Sequence, residues 1–84
     1  MLVTWEYSPE KAKETTARFM EWKPKGKYSF LYPFSNIVGS NKGFCVLEVD
    51  DLAELHKDLS QWNDLMTFTC LPCMDSRDAI AVIQ

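Results

Sequence analysis

The sequence predicts an α+β domain of the ferredoxin-like type, βαββαβ with an antiparallel sheet, and three observations carry that reading. Four short segments rich in aromatic and β-branched residues alternate with two segments of helical periodicity, in the order strand, helix, strand, strand, helix, strand. That order is the split βαβ arrangement, in which strands one and three are central and strands two and four are edges. Pro33 and Pro72 both fall in the strands assigned to the edges, where a missing ladder N–H is tolerated.

The first strand is Leu2 to Tyr7, apolar or β-branched almost throughout. Ser8-Pro9-Glu10 then supplies an N-cap, a proline at the first helical position and an early acid. In the helix that follows, Ala12, Thr16, Phe19 and Met20 recur at helical spacing and form the predicted packing face. Pro24-Lys25-Gly26 stops it. Tyr28 to Val38 reads as a strand kinked or bulged near Pro33 and Ser35-Asn36, and the turn cluster Gly39 to Gly43 joins it as a hairpin to the strand Phe44 to Val49. Asp51 with Glu54 resembles a capping box, and Leu52, Leu55, Leu59 and Trp62 form the stripe of a second helix ending near Asn63-Asp64. Met66, Phe68 and Cys70 alternate with Thr67 and Thr69 in the last strand, after which Asp75 or Ser76 caps a short C-terminal helix or tail over 76–84.

All 84 residues fit one domain, and a chain of this length buries only about 60% of its unfolded surface, so oligomerisation is a natural stabiliser. A hydrophobic share of 46% with 13% aromatics is too high for a disordered chain. The net charge of −3 lacks the basic footprint that nucleic acid requires, and the cluster Lys23, Lys25, Lys27 reads as a solvated loop. No export signal is visible and no eighteen apolar residues run together, so neither export nor a membrane is expected, and the three cysteines read as free thiols in a cytoplasmic protein.

With helices on one face of the sheet the other face is expected to be polar, yet Phe44 to Val49 is apolar at five of six positions and Leu2 to Tyr7 nearly so. A second copy of the same sheet is the simplest cover, giving a two-fold homodimer. The C-terminal tail is the alternative.

Val3-Thr4-Trp5, Pro9-Glu10, Gly43-Phe44 through Leu47-Glu48-Val49-Asp50-Asp51, Leu55-His56, Leu59, Trp62 and Asp64-Leu65 form a scattered pattern over most of the chain. In it the sequence resembles an uncharacterised family, a domain of unknown function, of short dimeric α+β-barrel, ferredoxin-like proteins. The resemblance implies the fold and the dimer and no assigned chemistry. Related dimeric barrels include cofactor-independent oxygenases, lactone isomerases and haem-degrading enzymes, among which fold alone does not choose. Where members of the family usually show Gly-Arg-Trp-His on the second strand, this chain has Tyr32-Pro33-Phe34-Ser35.

Two residues are candidates for acid and base chemistry. His56, the sole histidine, lies four residues after Leu52 and three before Leu59, so its ring is expected to face the sheet. A lone histidine there is more often a hydrogen-bonded core residue than a catalyst. Glu48 interrupts the apolar run of a central strand and needs a partner if buried, and His56 is a candidate for it. Trp5, Trp62, Phe44 and Tyr32 are candidates to stack against a planar ligand, although aromatics at such spacing are more often core. Cys70 and Cys73 have C-x-x-C spacing, and with Cys45 and His56 a Cys3His set can be written, but their place in a predicted edge strand favours buried thiols over zinc. No glycine-rich phosphate loop is present, and no cofactor is expected. The leading expectation is a homodimeric barrel that binds a small apolar or aromatic ligand between sheet and helices. The alternatives are a cofactor-independent monooxygenase- or isomerase-like enzyme using His56 and Glu48, and a structural or regulatory interaction module.

Overall fold

The computed structural model describes residues 1–22 and 28–84. Its elements are β1 (Leu2–Tyr7), a 3-10 turn (Pro9–Lys11), α1 (Ala12–Glu21), β2 (Tyr28–Asn36), β3 (Lys42–Val49), α2 (Leu52–Ser60), β4 (Met66–Leu71) and α3 (Ser76–Ile83). The strands form one antiparallel sheet in the order β2-β3-β1-β4, so the first and third strands are central as expected. Pro33 lies within edge strand β2, whereas Pro72 falls one residue beyond the end of β4. The predicted helix stop at Pro24-Lys25-Gly26 and the lysine cluster lie outside the described residues.

Local chemistry accounts for the boundaries. The Asp51 carboxylate accepts from the N–H groups of Ala53 and Glu54 at 2.9 and 3.4 Å, satisfying two donors that the first turn of α2 leaves open. Asp75 does the same for α3 through the Arg77 N–H at 2.8 Å. Ser8 makes no side-chain cap: Pro9 opens a single 3-10 turn, closed by the Lys11 N–H on the Ser8 carbonyl at 2.9 Å, before α1 begins at Ala12. In the hairpin, Gly39 takes a φ of +76°, which its missing Cβ permits. The Asn41 side-chain amide donates to the Tyr7 carbonyl, fixing this turn against the end of β1.

Directly paired residues share a sheet face. The pairs Val3 with Cys45 and Cys70, and Trp5 with Gly43 and Phe68, therefore define the face under the helices. Val3, Cys45, Leu47 and Leu55 form the buried core there, with Leu59 and Phe68 packed around it. Pairs such as Thr4 with Phe44 and Leu2 with Val46 define the opposite, open face. Strand β2 is bulged between Phe30 and Tyr32 and again between Tyr32 and Ser35. In a regular strand Phe30, Tyr32 and Phe34 would share a face. The bulges around Leu31 and Pro33 instead turn Tyr32 to the open face, where its ring stacks on Phe44 at 5.6 Å and 15°.

The helix faces follow the predicted stripes in part, with Thr16, Phe19, Leu55, Leu59 and Trp62 turned inward. On α1 the inward stripe runs through Thr15, with Trp22 just beyond its last turn, and Met20, expected to pack, is 78% exposed. On α2 the buried residues are Leu55 and Asp58, and Leu52 is exposed. Helix α3 buries none of its residues, and Ile83 is 84% exposed. The chain has a radius of gyration of 14.4 Å, against about 12 Å for a compact domain of this length.

Candidate functional site

Between the inner sheet face and the two helices lies a cavity of about 290 Å³. Its wall is largely aromatic: Trp5 and Phe68 rise from the sheet, Phe30 and Phe34 from the bulged strand, Phe19 and Trp22 from the end of α1 and Trp62 from the turn after α2. Phe34 is the hub, meeting Trp5, Phe19, Trp22 and Phe30 at centroid distances of 5.9, 5.3, 5.7 and 4.9 Å. These contacts are edge-to-face or tilted, the geometry that ring quadrupoles favour. Trp22 also meets Trp62 edge-on at 5.7 Å.

Trp5 owes its position to Gly43. The indole lies over the Gly43 backbone so closely that a Cβ there would stand 2.5 Å from two of its ring carbons and 2.6 Å from its nitrogen. Glycine is thus required by the close approach rather than by its own backbone angles. Helix α1, which roofs the cavity, is held by polar contacts at its outer edge. The Arg18 guanidinium forms a two-pronged pair with Asp64 at 2.7 and 2.9 Å and donates to the Gln61 carbonyl at 3.1 Å. Lys11 Nζ donates to the Asp64 carbonyl at 2.6 Å. The hydrogen bond from Arg18 holds the Asp64 carboxyl below its usual range.

Polar groups are few in this wall. Asp58, 4% exposed, accepts a 2.6 Å hydrogen bond from the Tyr28 hydroxyl. Burial, then that bond, push the Tyr28 ionisation well above its ordinary value, so the hydroxyl stays a donor. Thr16 donates back to the Ala12 carbonyl at 2.9 Å. Its neighbour Thr15, 8% exposed, has a hydroxyl that is buried and without a hydrogen-bond partner among the described residues. Cys45, on the cavity floor, has its thiol pushed up to about 11, mainly by burial and then by the nearby Cys70.

Of the residues singled out from sequence, Trp5 and Trp62 line this cavity. Tyr32 and Phe44 do not: they stack on each other across the open sheet face. His56 and Glu48 are not brought together. A residue adds 100° around a helix, so His56 stands far round from Leu55 and is exposed rather than facing the sheet. Glu48 is exposed on the open face, opposite Ser29, and needs no buried partner. The expected buried thiols are also corrected in part, since Cys70 and Cys73 are exposed and only Cys45 is buried. Among the described residues no cluster of three His, Cys, Asp or Glu side chains is placed to hold a metal. No helix among them is long and apolar enough to cross a membrane.

Sequence reasoning passed over Thr15, Asp58, Tyr28 and Phe34. A signal for Asp58 was present, because Leu55, Asp58, Leu59 and Trp62 follow i, i+3, i+4, i+7, and an acid inside such a stripe needs a partner. Tyr28 and Phe34 are placed by the sheet register, and no local pattern marks them.

Four antiparallel strands with α1 and α2 on one face define a ferredoxin-like α+β domain. The chain belongs to the family described as a domain of unknown function (DUF3303), which matches residues 1–84. No curated protein and no solved structure matches it.

Proposed function

We propose that this protein is a homodimer that binds a small apolar or aromatic ligand in the cavity between sheet and helices. The observation that carries the reading is the cavity itself, about 290 Å³ lined by tryptophan and phenylalanine with a buried, unpartnered hydroxyl in its wall. Ligand sites have this character: mostly apolar walls with a small number of placed polar groups. A close-packed core has few voids larger than a water molecule, whereas this half-open pocket offers about 290 Å³.

The dimer rests on surface. The chain exposes 6462 Å², where a folded monomer of 9.7 kDa exposes about 5,100 Å². The surplus exceeds the roughly 800 Å² per partner of a standard interface. Exposed apolar side chains accompany it, with Leu71 on β4 and Ile80, Val82 and Ile83 on α3. A second copy laid on the open sheet face would cover Phe44, Val46 and Tyr32.

Native mass spectrometry of freshly purified protein tests both parts. A dimer carrying a small molecule is expected, and Val46→Glu is expected to shift the population to monomer. A wild-type monomer would refute the dimer. Failure of the wild-type protein to bind naphthalene or 2-naphthol in calorimetry would refute the cavity as a ligand site.

The enzymatic alternative built on His56 and Glu48 has no support in the geometry, since neither residue lines the cavity and the pair is not formed.

A further inference from the structure

We infer that the ligand of this cavity is an uncharged, planar ring compound bearing one hydroxyl or carbonyl group, and that Thr15 Oγ1 is the atom that recognises that group. The inference rests on the cavity being a ligand site and specifies what enters it.

The first ground is an unfilled hydrogen-bonding position. Thr15 lies on the inward stripe of α1, is 8% exposed and contributes to the cavity wall. A threonine within a helix usually turns its hydroxyl back to a carbonyl one turn earlier, as Thr16 does at 2.9 Å. The Thr15 hydroxyl makes no such bond and, among the described residues, is the buried side-chain oxygen or nitrogen left without a partner. A buried polar group in that state is costly unless something else completes it, and sites that bind a ligand hydroxyl or carbonyl leave such a group waiting for it. A hydroxyl can donate or accept, so either ligand group serves.

The second ground is charge. Asp58 is the sole ionisable acid or base other than tyrosine and cysteine among the described lining residues, and one of its oxygens is taken by the Tyr28 hydroxyl at 2.6 Å. No described cation faces the cavity: Arg18 is turned to the outside, with Asp64 and Glu14. An anionic ligand would have to shed its hydration beside the Asp58 carboxylate and would meet no cation among the described lining residues, which is unfavourable. The third ground is shape. Trp5, Phe34 and Trp62 present rigid ring surfaces, which suit a flat ligand better than a branched aliphatic one.

The test uses the full-length protein, isothermal calorimetry and three probes of one ring skeleton: naphthalene, 2-naphthol and 2-naphthoate. Wild type is expected to bind 2-naphthol roughly fivefold to tenfold more tightly than naphthalene, the worth of one net hydrogen bond, and to bind 2-naphthoate most weakly. Thr15→Val, nearly isosteric, is expected to erase the preference for 2-naphthol while leaving naphthalene affinity within about twofold. Because the hydroxyl has no partner among the described residues, Thr15→Val is also expected to keep or raise the melting temperature without ligand, and Thr15→Ser to retain the preference. If naphthalene and 2-naphthol bind wild type equally, or Thr15→Val keeps the preference, the role of Thr15 is overturned while the cavity reading stands. Tightest binding of 2-naphthoate would overturn the uncharged ligand. No binding of any probe by wild type would instead remove the cavity reading on which the inference rests.

Discussion

Replacing Gly43 with alanine tests the most specific packing relation in the structure. The added Cβ would stand 2.5 Å from two indole carbons of Trp5, where non-bonded carbons prefer about 3.5 to 4.0 Å, so the ring must retreat by about 1 Å. It cannot retreat freely, because the ring also packs edge-on against Phe34 at 5.9 Å. Overpacking of this kind costs about 1 to 3 kcal/mol. Alanine in a strand in turn restores about 0.5 to 1 kcal/mol relative to glycine by reducing the freedom of the unfolded chain. At the middle of both ranges the net expectation is a loss of about 1.25 kcal/mol. For a domain of this size each kcal/mol shifts melting by about 4 to 8 °C, so Gly43→Ala is expected to melt roughly 5 to 10 °C below wild type. Calorimetry or circular dichroism at matched protein concentration provides the readout, since concentration alone moves the melting of a dimer. In a Trp5→Ala background the same substitution is expected to be neutral or stabilising, and the resulting coupling isolates the contact. An unchanged melting temperature for Gly43→Ala in the otherwise wild-type protein would refute the argument that the indole lies on the Gly43 backbone.

Other perturbations follow from the same geometry. Tyr28→Phe removes a 2.6 Å donor from buried Asp58 and is expected to cost about 1 to 3 kcal/mol in urea unfolding; a cost below 0.5 kcal/mol would mean the bond is not made in solution. Asp64 is held below its ordinary carboxyl value by Arg18, so its contribution is complete above the unfolded value near 3.8 and is lost as pH falls through the lower folded value. Wild type is therefore expected to lose melting temperature more steeply than Asp64→Asn between pH 5 and 2.5, and parallel curves would count against the anchor. Cys45 is buried with its thiol near 11, so iodoacetamide at pH 8 is expected to label exposed Cys73 well before Cys45; equal rates by peptide mass spectrometry would contradict the burial.

The sequence by itself determined the order of elements, the central and edge strands, the Asp51 cap and the presence of a bulge in β2. These depend on local chemistry: proline cannot donate, aspartate caps, and β-branched and aromatic runs alternate on a pleat. The tertiary structure decided which faces met. On α1, Thr15 and Trp22 joined Thr16 and Phe19 at the cavity, while Met20 was left outside it. The unequal spacing around Pro33 sent Tyr32 and Phe34 to opposite sides of one sheet, and His56 and Glu48 ended outside the cavity altogether. Periodicity fixes that a stripe exists, but its centre is set by what it packs against, and a bulge resets strand parity for every residue after it. The cavity is assembled from all four strands, α1, α2 and the turn after α2, segments far apart in the chain, so no local pattern could carry it.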